Sequence, residues 1–555
     1  MPARPAVLIR FFVAIGAPIL ALVALLTCTS PASATAAPHI HTGASAVDRY
    51  VATNGRNSYW LNPTTLVINT CTTSSDPCRT IPWAIMHADP DDTIRVASGV
   101  YTGATSLIAG SDQMTQVVFI DRSVHLSGGY TTTNWLTSDP AANPTILDAE
   151  RRGRVISVVG SGITPTVQGF IITGGDATGL IPSSIGNRSD GSGGGIFIDH
   201  AGALIVGNVI SDNIAAVTTS GFPTATTGYG GGIYVLHADG AVISDNLIIS
   251  NTAGQVNYGQ GGGVCLEYSD GIVANNEILD NVASRGANYG WGGGIAVNSS
   301  DASVLGNLVA GNQARVPGMP GGSGAGIYQW VGGGLIKDNL VTGSAYGGSS
   351  VYLGFSSAEF ERNTIIDNST HTGLQITYGG TSPSSAINNV VARGGSSRQI
   401  NLVGSPTNPL TATLAHNTVV CGGGSQTGVY IETAYVLLNL WNSIVAGCAT
   451  GVTNTQPLSS TANAEYTLFW NVTDPGIVGL HSFSGDPNFI DPVGGDFHIG
   501  LLSAAIDQAV PGLADDDIDH ETRPLDGDHD GVAAADLGAD ELVVWYGFLP
   551  LVLRE

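Results

Sequence analysis

The chain is short of charge. Only 11% of its 555 residues are Asp, Glu, Lys or Arg, and Lys337 is the single lysine. Basic side chains number 19 against 44 acidic ones, a formal net charge of −25. That balance excludes nucleic acid and anionic lipid as partners. Methionine is scarce, with four residues, and cysteine is limited to six. Helical periodicity is missing from the repeated units that fill the chain, which excludes a helical bundle. No transmembrane span is expected in the mature chain. The last stretch, VVWYGFLPLVLRE (543–555), is apolar but too short to cross a bilayer. It is read as a final strand that closes the structure or as a sorting signal.

What is abundant is glycine, 76 residues, and it is arranged. GYGGGIYVLHADGAVISDNLIISN runs from Gly228 to Asn251. GQGGGVCLEYSDGIVANNEILDN follows from Gly259, and GWGGGIAVNSSDASVLGNLVAGN from Gly290. Further copies begin at Gly191 and Gly322. An Asn before a hydrophobic pair recurs at Asn208, Asn246, Asn276, Asn307, Asn339, Asn363, Asn389, Asn417 and Asn442, with Gly169 as one more copy. Steps of 24 to 38 residues with a fixed internal register mean equivalent, stacked coils. Within each unit the strands alternate, so Ile233 and Val235 share one face and Tyr234 takes the other. A single coil cannot bury its apolar face, but a stack can. The fold class is therefore all-β, a parallel β-solenoid. Stacked Asn side chains hydrogen-bond along the column and to turn backbone.

The GGG-[I/V] strands and the Asn column resemble the right-handed parallel β-helix proteins of the pectin-lyase-like superfamily, over roughly residues 70–500. The resemblance implies three strands per coil, with the Asn column between the second and third. It also implies an N-terminal cap at 76–103, with a helix over 80–88 and a first strand at 93–96. The tail, with GDPNFIDPVGGDFHIGLLSAAIDQA and RPLDGDHDGVAAADLGADE, resembles the choice-of-anchor-like C-terminal region of secreted β-helix repeat proteins. The expected organisation is a signal peptide (1–34), a linker (35–69), the β-helix (70–500), an acidic region (501–542) and the apolar tail (543–555).

Arg4 and Arg10 precede an apolar run, and Ala32-Ser33-Ala34 has the small-x-small spacing of a cleavage site. Secretion or cell-surface display is expected. Cys28 leaves with the signal. Export makes disulfides plausible, so Cys71 is paired with Cys78 and Cys421 with Cys448, one coil apart. Cys265 has no evident partner.

Between Asp486 and Glu541 stand 15 acidic residues against one basic residue, Arg523. There Asp526, Asp528 and Asp530 have calcium-loop spacing before Gly531, with Asp536 as a fourth candidate ligand. The twelfth position, Leu537, departs from the calcium-loop pattern; a solvated acidic loop is the competing reading.

The resemblance places substrate along the first-strand sheet. Candidate sugar-binding rings are Phe197, Tyr229, Tyr234, Trp291, Tyr328 and Tyr352; aromatic faces suit the C–H faces of sugars. Asp199, His200, His237 and Glu267 follow the strands in register and are the candidate catalytic residues. Asp199 and Glu267 would stand roughly 9–10 Å apart, two rungs at about 4.8 Å each, near the upper end for an inverting carboxylate pair. Phe197-Ile198-Asp199-His200 is similar to a short pectate lyase motif. That family's arginine pair is missing here, as are the polygalacturonase motifs. Polar residues at strand ends are also ordinary turn formers. The leading expectation is a protein that binds an extracellular polysaccharide or cell-surface matrix without turnover. A divergent polysaccharide lyase or glycoside hydrolase is the alternative, and a structural spacer or adhesin stalk the third.

Overall fold

The structure, a computed structural model, describes residues 46–62, 65–109, 112–180, 191–217, 227–256, 258–286, 289–318, 321–379 and 384–543. The expected signal peptide, Cys28 and the tail from residue 544 lie outside the described residues.

Each coil contributes one strand to each of three sheets of 14 strands, parallel throughout except where Thr105–Ala109 adds an antiparallel edge to one of them. In one coil the strands are Ile233–Leu236, Val242–Ser244 and Leu247–Ile249. Ile196, Ile233, Val264, Ile295 and Ile327 stack in register, all completely buried. Such columns of branched side chains fill the interior. The solenoid is a right-handed parallel β-helix.

The cap helix forms at Ile81–Met86, inside the expected 80–88. Its Ile81, Ala84 and Ile85 plug the open end of the core. The stack begins earlier than expected. Asp48–Val51 pairs in parallel with the strand at Thr93–Ala97, so part of the stretch read as a linker (35–69) is the first strand. Four residues with two inward side chains are too short a signal to separate from a linker in sequence.

The Asn column is present. Asn246 donates its backbone N–H and its side-chain amide to Asn276 Oδ1, both at 3.0 Å, and the amide also reaches Ile205 O at 2.8 Å. Bonds of this kind run from Asn208 to Asn417. Two positions are corrected by one residue. Phe170, not Gly169, occupies the ladder position and donates its N–H to Asn208. At the other end Ser443, not Asn442, receives the N–H of Asn417. Asn442 sits at φ +48° and turns outward. A second column, Asn213, Asn251, Asn281 and Asn312, lines the corner after the third strand.

After that corner, successive coils make an extra excursion. Its outgoing strands are Ile214–Ala216, Thr252–Gly254, Val282–Ser284 and Gln313–Arg315. Its returning strands are Gly191–Ser192, Gly228–Tyr229, Gly259–Gln260 and Gly290–Trp291. Each set forms its own four-stranded sheet. The two sheets pack backbone against backbone: a Cβ at Gly259 would lie 1.7 Å from Ala283 O. The leading glycine of GxGGG is needed for that approach.

Both expected disulfides are present, Cys71–Cys78 and Cys421–Cys448. Cys265 is free and buried.

The acidic region is not a detached tail. After the hairpin of Phe489–Asp491 and Asp496–Ile499, it lies as a strap across the outer face of the third-strand sheet. Phe497, Ile499, Ile506 and Leu537 pack on Ile366, Val390, Val420 and Ile444. Arg523, buried, donates to Asp536 O at 2.7 Å and Gly538 O at 2.9 Å. It also reaches His416 Nδ1 of the solenoid at 2.7 Å. Asn442 exchanges two hydrogen bonds with the backbone of Val510.

Candidate functional site

The alternation read from the sequence puts Phe197, Tyr234, Cys265, Ala296, Tyr328 and Tyr352 in one outward column, and the register agrees. Outward does not mean exposed, however. Phe197 and Tyr234 are completely buried, and Tyr229 is 7% exposed. The excursion covers them. Arg154 lies 4.5 Å from the Phe197 ring centre and donates to Ser192 O of the returning strand. Phe197, Tyr234 and Tyr229 are therefore structural, a correction to their expected contact with sugar. Burial pushes the Tyr234 phenol well above its ordinary value, with Glu267 adding to the shift.

Further along the same face the cover ends and aromatic rings come to the surface. Tyr258, Tyr289 and Trp291 stack nearly parallel, with centres 5.8–6.4 Å apart. Trp291 meets Tyr328 at 6.4 Å, and Tyr328 meets Tyr352 at 5.0 Å. Trp330 touches Tyr328, Tyr352 and Phe355, and Phe355 touches Tyr378. The result is an unbroken lane of eight rings. Tyr328 and Tyr352 form its floor, at 8% and 9% exposure. The other six present part of their surface. The first strands at 264, 295, 327, 351 and 374 mark five rungs, so four steps span roughly 19 Å. Gly354 makes room for it: a Cβ there would meet Trp330 Cε3 at 2.5 Å. Trp330, Phe355 and Tyr378 were not among the expected ring contacts. The pairing Trp330↔Gly354, three residues along from the Ile327↔Val351 pair, is their signal in sequence.

Polar groups continue the lane. Arg398 lies 3.7 Å from the Tyr430 ring centre and donates to Glu432 at 2.9 Å, while Asn401 donates to the same carboxylate oxygen at 2.7 Å.

The candidate catalytic residues fall into two groups. Asp199, His200 and His237 come together: His200 Nδ1 is 2.6 Å and His237 Nδ1 4.0 Å from Asp199 Oδ1. The imidazoles stack on successive rungs, with centres 4.9 Å apart. Both sit at positive φ, and so does Tyr268 in the next rung of that column, which makes this a turn. Glu267 stands apart, accepting the Tyr234 hydroxyl at 2.7 Å. Leu236 occupies the rung between Asp199 and Glu267, and both carboxylates are 6% exposed. The two acids share a column without forming an open pair.

In the strap, Asp526 and Asp528 converge with Asp507, ligand atoms within 4.8 Å of one another. Asp530 and Asp536 do not join them. Asp530 caps the N–H of Val532 at 2.8 Å. Asp536, 1% exposed, takes the N–H groups of Asp507 and Leu542. Burial and the neighbouring Glu541 push Asp536 up to about 7. Asp536, expected as a fourth candidate, thus lies outside the convergent group, which contains Asp507 instead. Alternate spacing alone does not reveal which carboxylates cap turns.

Residues 155–365 match the family model described as "Right handed beta helix region". This match agrees with the three sheets in describing the solenoid as a right-handed parallel β-helix. No curated protein matches the chain in sequence. Among solved structures, the pectate lyase Pel9A is similar over 90% of this chain and 97% of its own, at 11% identity and a TM-score of 0.42. XylC, solved in complex with xylose, is similar over 90% of this chain and 98% of its own, at 10% identity and a TM-score of 0.43. The mannuronan C-5 epimerase AlgE6 A-module of Azotobacter vinelandii covers 70% of this chain and 94% of its own, at 13% identity and a TM-score of 0.27.

Proposed function

We propose that the protein binds an extracellular polysaccharide along its first-strand face and does not turn it over. The observation that carries this reading is the lane from Tyr258 to Tyr378. A glycan lying along the helix axis would meet a ring about every 4.8 Å. Each ring offers an apolar face to sugar C–H groups, while Asn401, Arg398 and Glu432 supply hydrogen bonds at one end. The two disulfides fit a chain working outside the cell. Among the described residues no helix is long and apolar enough to cross a membrane.

The test is a glycan array followed by titration of any ligand found. Trp330→Ala and Trp291→Ala should each weaken binding by about 1–2 kcal/mol, through lost stacking and burial. Unchanged affinity in both variants, with intact folding, would remove the lane as the site.

The contact of Asp199 with two imidazoles keeps lyase or hydrolase activity as the second reading. Asp199→Asn and Glu267→Gln should then abolish product formation while binding persists. Turnover retained in both would remove these residues. Calcium at Asp507, Asp526 and Asp528 is proposed as a support for the strap. The buried Asp526 Oδ1, which has no hydrogen-bond partner among the described residues, favours it. Calorimetry should show calcium heat in the full chain that Asp528→Asn removes; equal heats leave a solvated loop.

A further inference from the structure

We propose a second metal site in the strap, separate from the acidic loop, in which His498, Asp519 and Asp540 hold a divalent transition ion of the zinc and manganese class. The three residues come from distant parts of the strap: a hairpin strand, a turn and the end of the described chain. Their ligand atoms nevertheless lie within 4.8 Å of one another.

The imidazole is aimed. Asp496 Oδ1 stands 2.5 Å from His498 Nδ1, which fixes the ring and leaves Nε2 for the cluster. Nε2 lies 2.6 Å from Asp519 Oδ2. A carboxylate behind a histidine is the usual orienting device for a metal-bound imidazole. Asp540 is 6% exposed, and its Oδ2 accepts the N–H of Ile499 at 2.6 Å. Among the described residues no arginine or lysine pairs with it, and His498 is the cationic group that faces it. A buried carboxylate in that condition is costly unless a cation meets it.

Beyond His498, nearby groups do not supply a cation. Asp517, fully buried, spends its oxygens on the N–H groups of Asp519, Glu521 and Glu541. Arg523 is committed to His416, Asp536, Gly538 and Glu541. One imidazole nitrogen with two carboxylate oxygens suits a borderline ion, whereas calcium favours oxygen alone. Bonds of about 2.0–2.2 Å would require the His498–Asp519 pair to open by roughly half to one ångström. Asp519 is exposed and can move. It also borders a cleft of 650 Å³ between strap and solenoid, lined by Arg362, Asp367 and His520 among others, which gives an ion its entry path.

The experiment is calorimetric titration of the chelator-stripped full chain with zinc, manganese and calcium. Zinc or manganese should bind in a 1:1 ratio. Asp519→Asn and His498→Gln should each weaken that binding tenfold or more, and Asp496→Asn by roughly 10–100-fold through the freed ring. Asp528→Asn, in the acidic loop, should leave it unchanged. Circular dichroism melts confirm that each variant is folded, and the exposed Asp519 gives the least disruptive change. Transition-ion affinity that survives Asp519→Asn and His498→Gln overturns the site, as does affinity that tracks Asp528. Binding of calcium alone, or of no ion, also overturns it and leaves His498 as an ion-paired clasp.

Discussion

Asn307 shows how much one side chain carries in this fold. It accepts the backbone N–H and side-chain amide of Asn276 on one coil, and gives its own to Asn339 on the next. Its amide also reaches Val273 O. Asn307→Leu removes an acceptor from two buried donors, a loss of about 1–3 kcal/mol at most of these positions. Urea unfolding should show a lower midpoint at unchanged slope. An unaltered midpoint would mean that the column is incidental to stability. The ladder was legible in sequence because eight Asn residues keep one register. Its ends were not: at Ser443 a hydroxyl does the work of the amide, and Asn442 beside it is a decoy that serves the strap.

At the scale of elements, strands and their facing could be read from alternation. What covers a face could not. Tyr234 and Tyr352 occupy the same column, yet one lies beneath the excursion and the other floors an open lane. The difference arises from whether an excursion strand packs over the ring, as Tyr229 does on Tyr234, which alternation does not report. The excursion was visible only as a variable loop, although GxGGG encodes its return. Gly259→Ala puts a methyl group against Ala283 O. The expected result is an excursion sheet forced apart, seen as faster limited proteolysis within residues 252–290 and a melting point lowered by several degrees. If the variant resists protease as the wild type does, the close packing there is dispensable.

For the whole molecule, charge placed the acidic region at one end of the sequence without showing that it lies on the solenoid. The buried contacts are what hold it. His416, at their centre, is kept neutral: burial, then the Arg523 guanidinium, hold it at about 3 against 6.5. Unfolded, it takes a proton below 6.5; folded, it does not until about 3. Its contribution is therefore complete above pH 6.5 and lost as pH falls toward 3. Asp536 acts with the opposite sign. Its pKa is raised from 3.8 to about 7, so its contribution is complete below 3.8 and lost as pH rises to 7. Arg523, Glu541 and Asp507 are the charged groups that face the pair. His416→Gln removes only the first dependence. Between pH 6.5 and 4 the wild type should lose more thermal stability than the variant, relative to each protein's value at pH 7. Parallel melting curves across that range would break the link to His416.

The strap also orders events in time. Ladder partners are 24 to 38 residues apart, so a chain emerging from its N-terminus can lay each coil on the one before. The strap joins residues 68 to 154 apart: Asn442 to Val510, His416 to Asp536, Arg362 to Asp516. None of those contacts can close until the last stretch has appeared. Until then the flank bearing Ile366, Val390, Val420 and Ile444 stands bare and sticky. A nascent chain that stalls before Val510 would carry a finished spiral with an unsealed seam, the point at which chaperones or neighbouring copies would seize it.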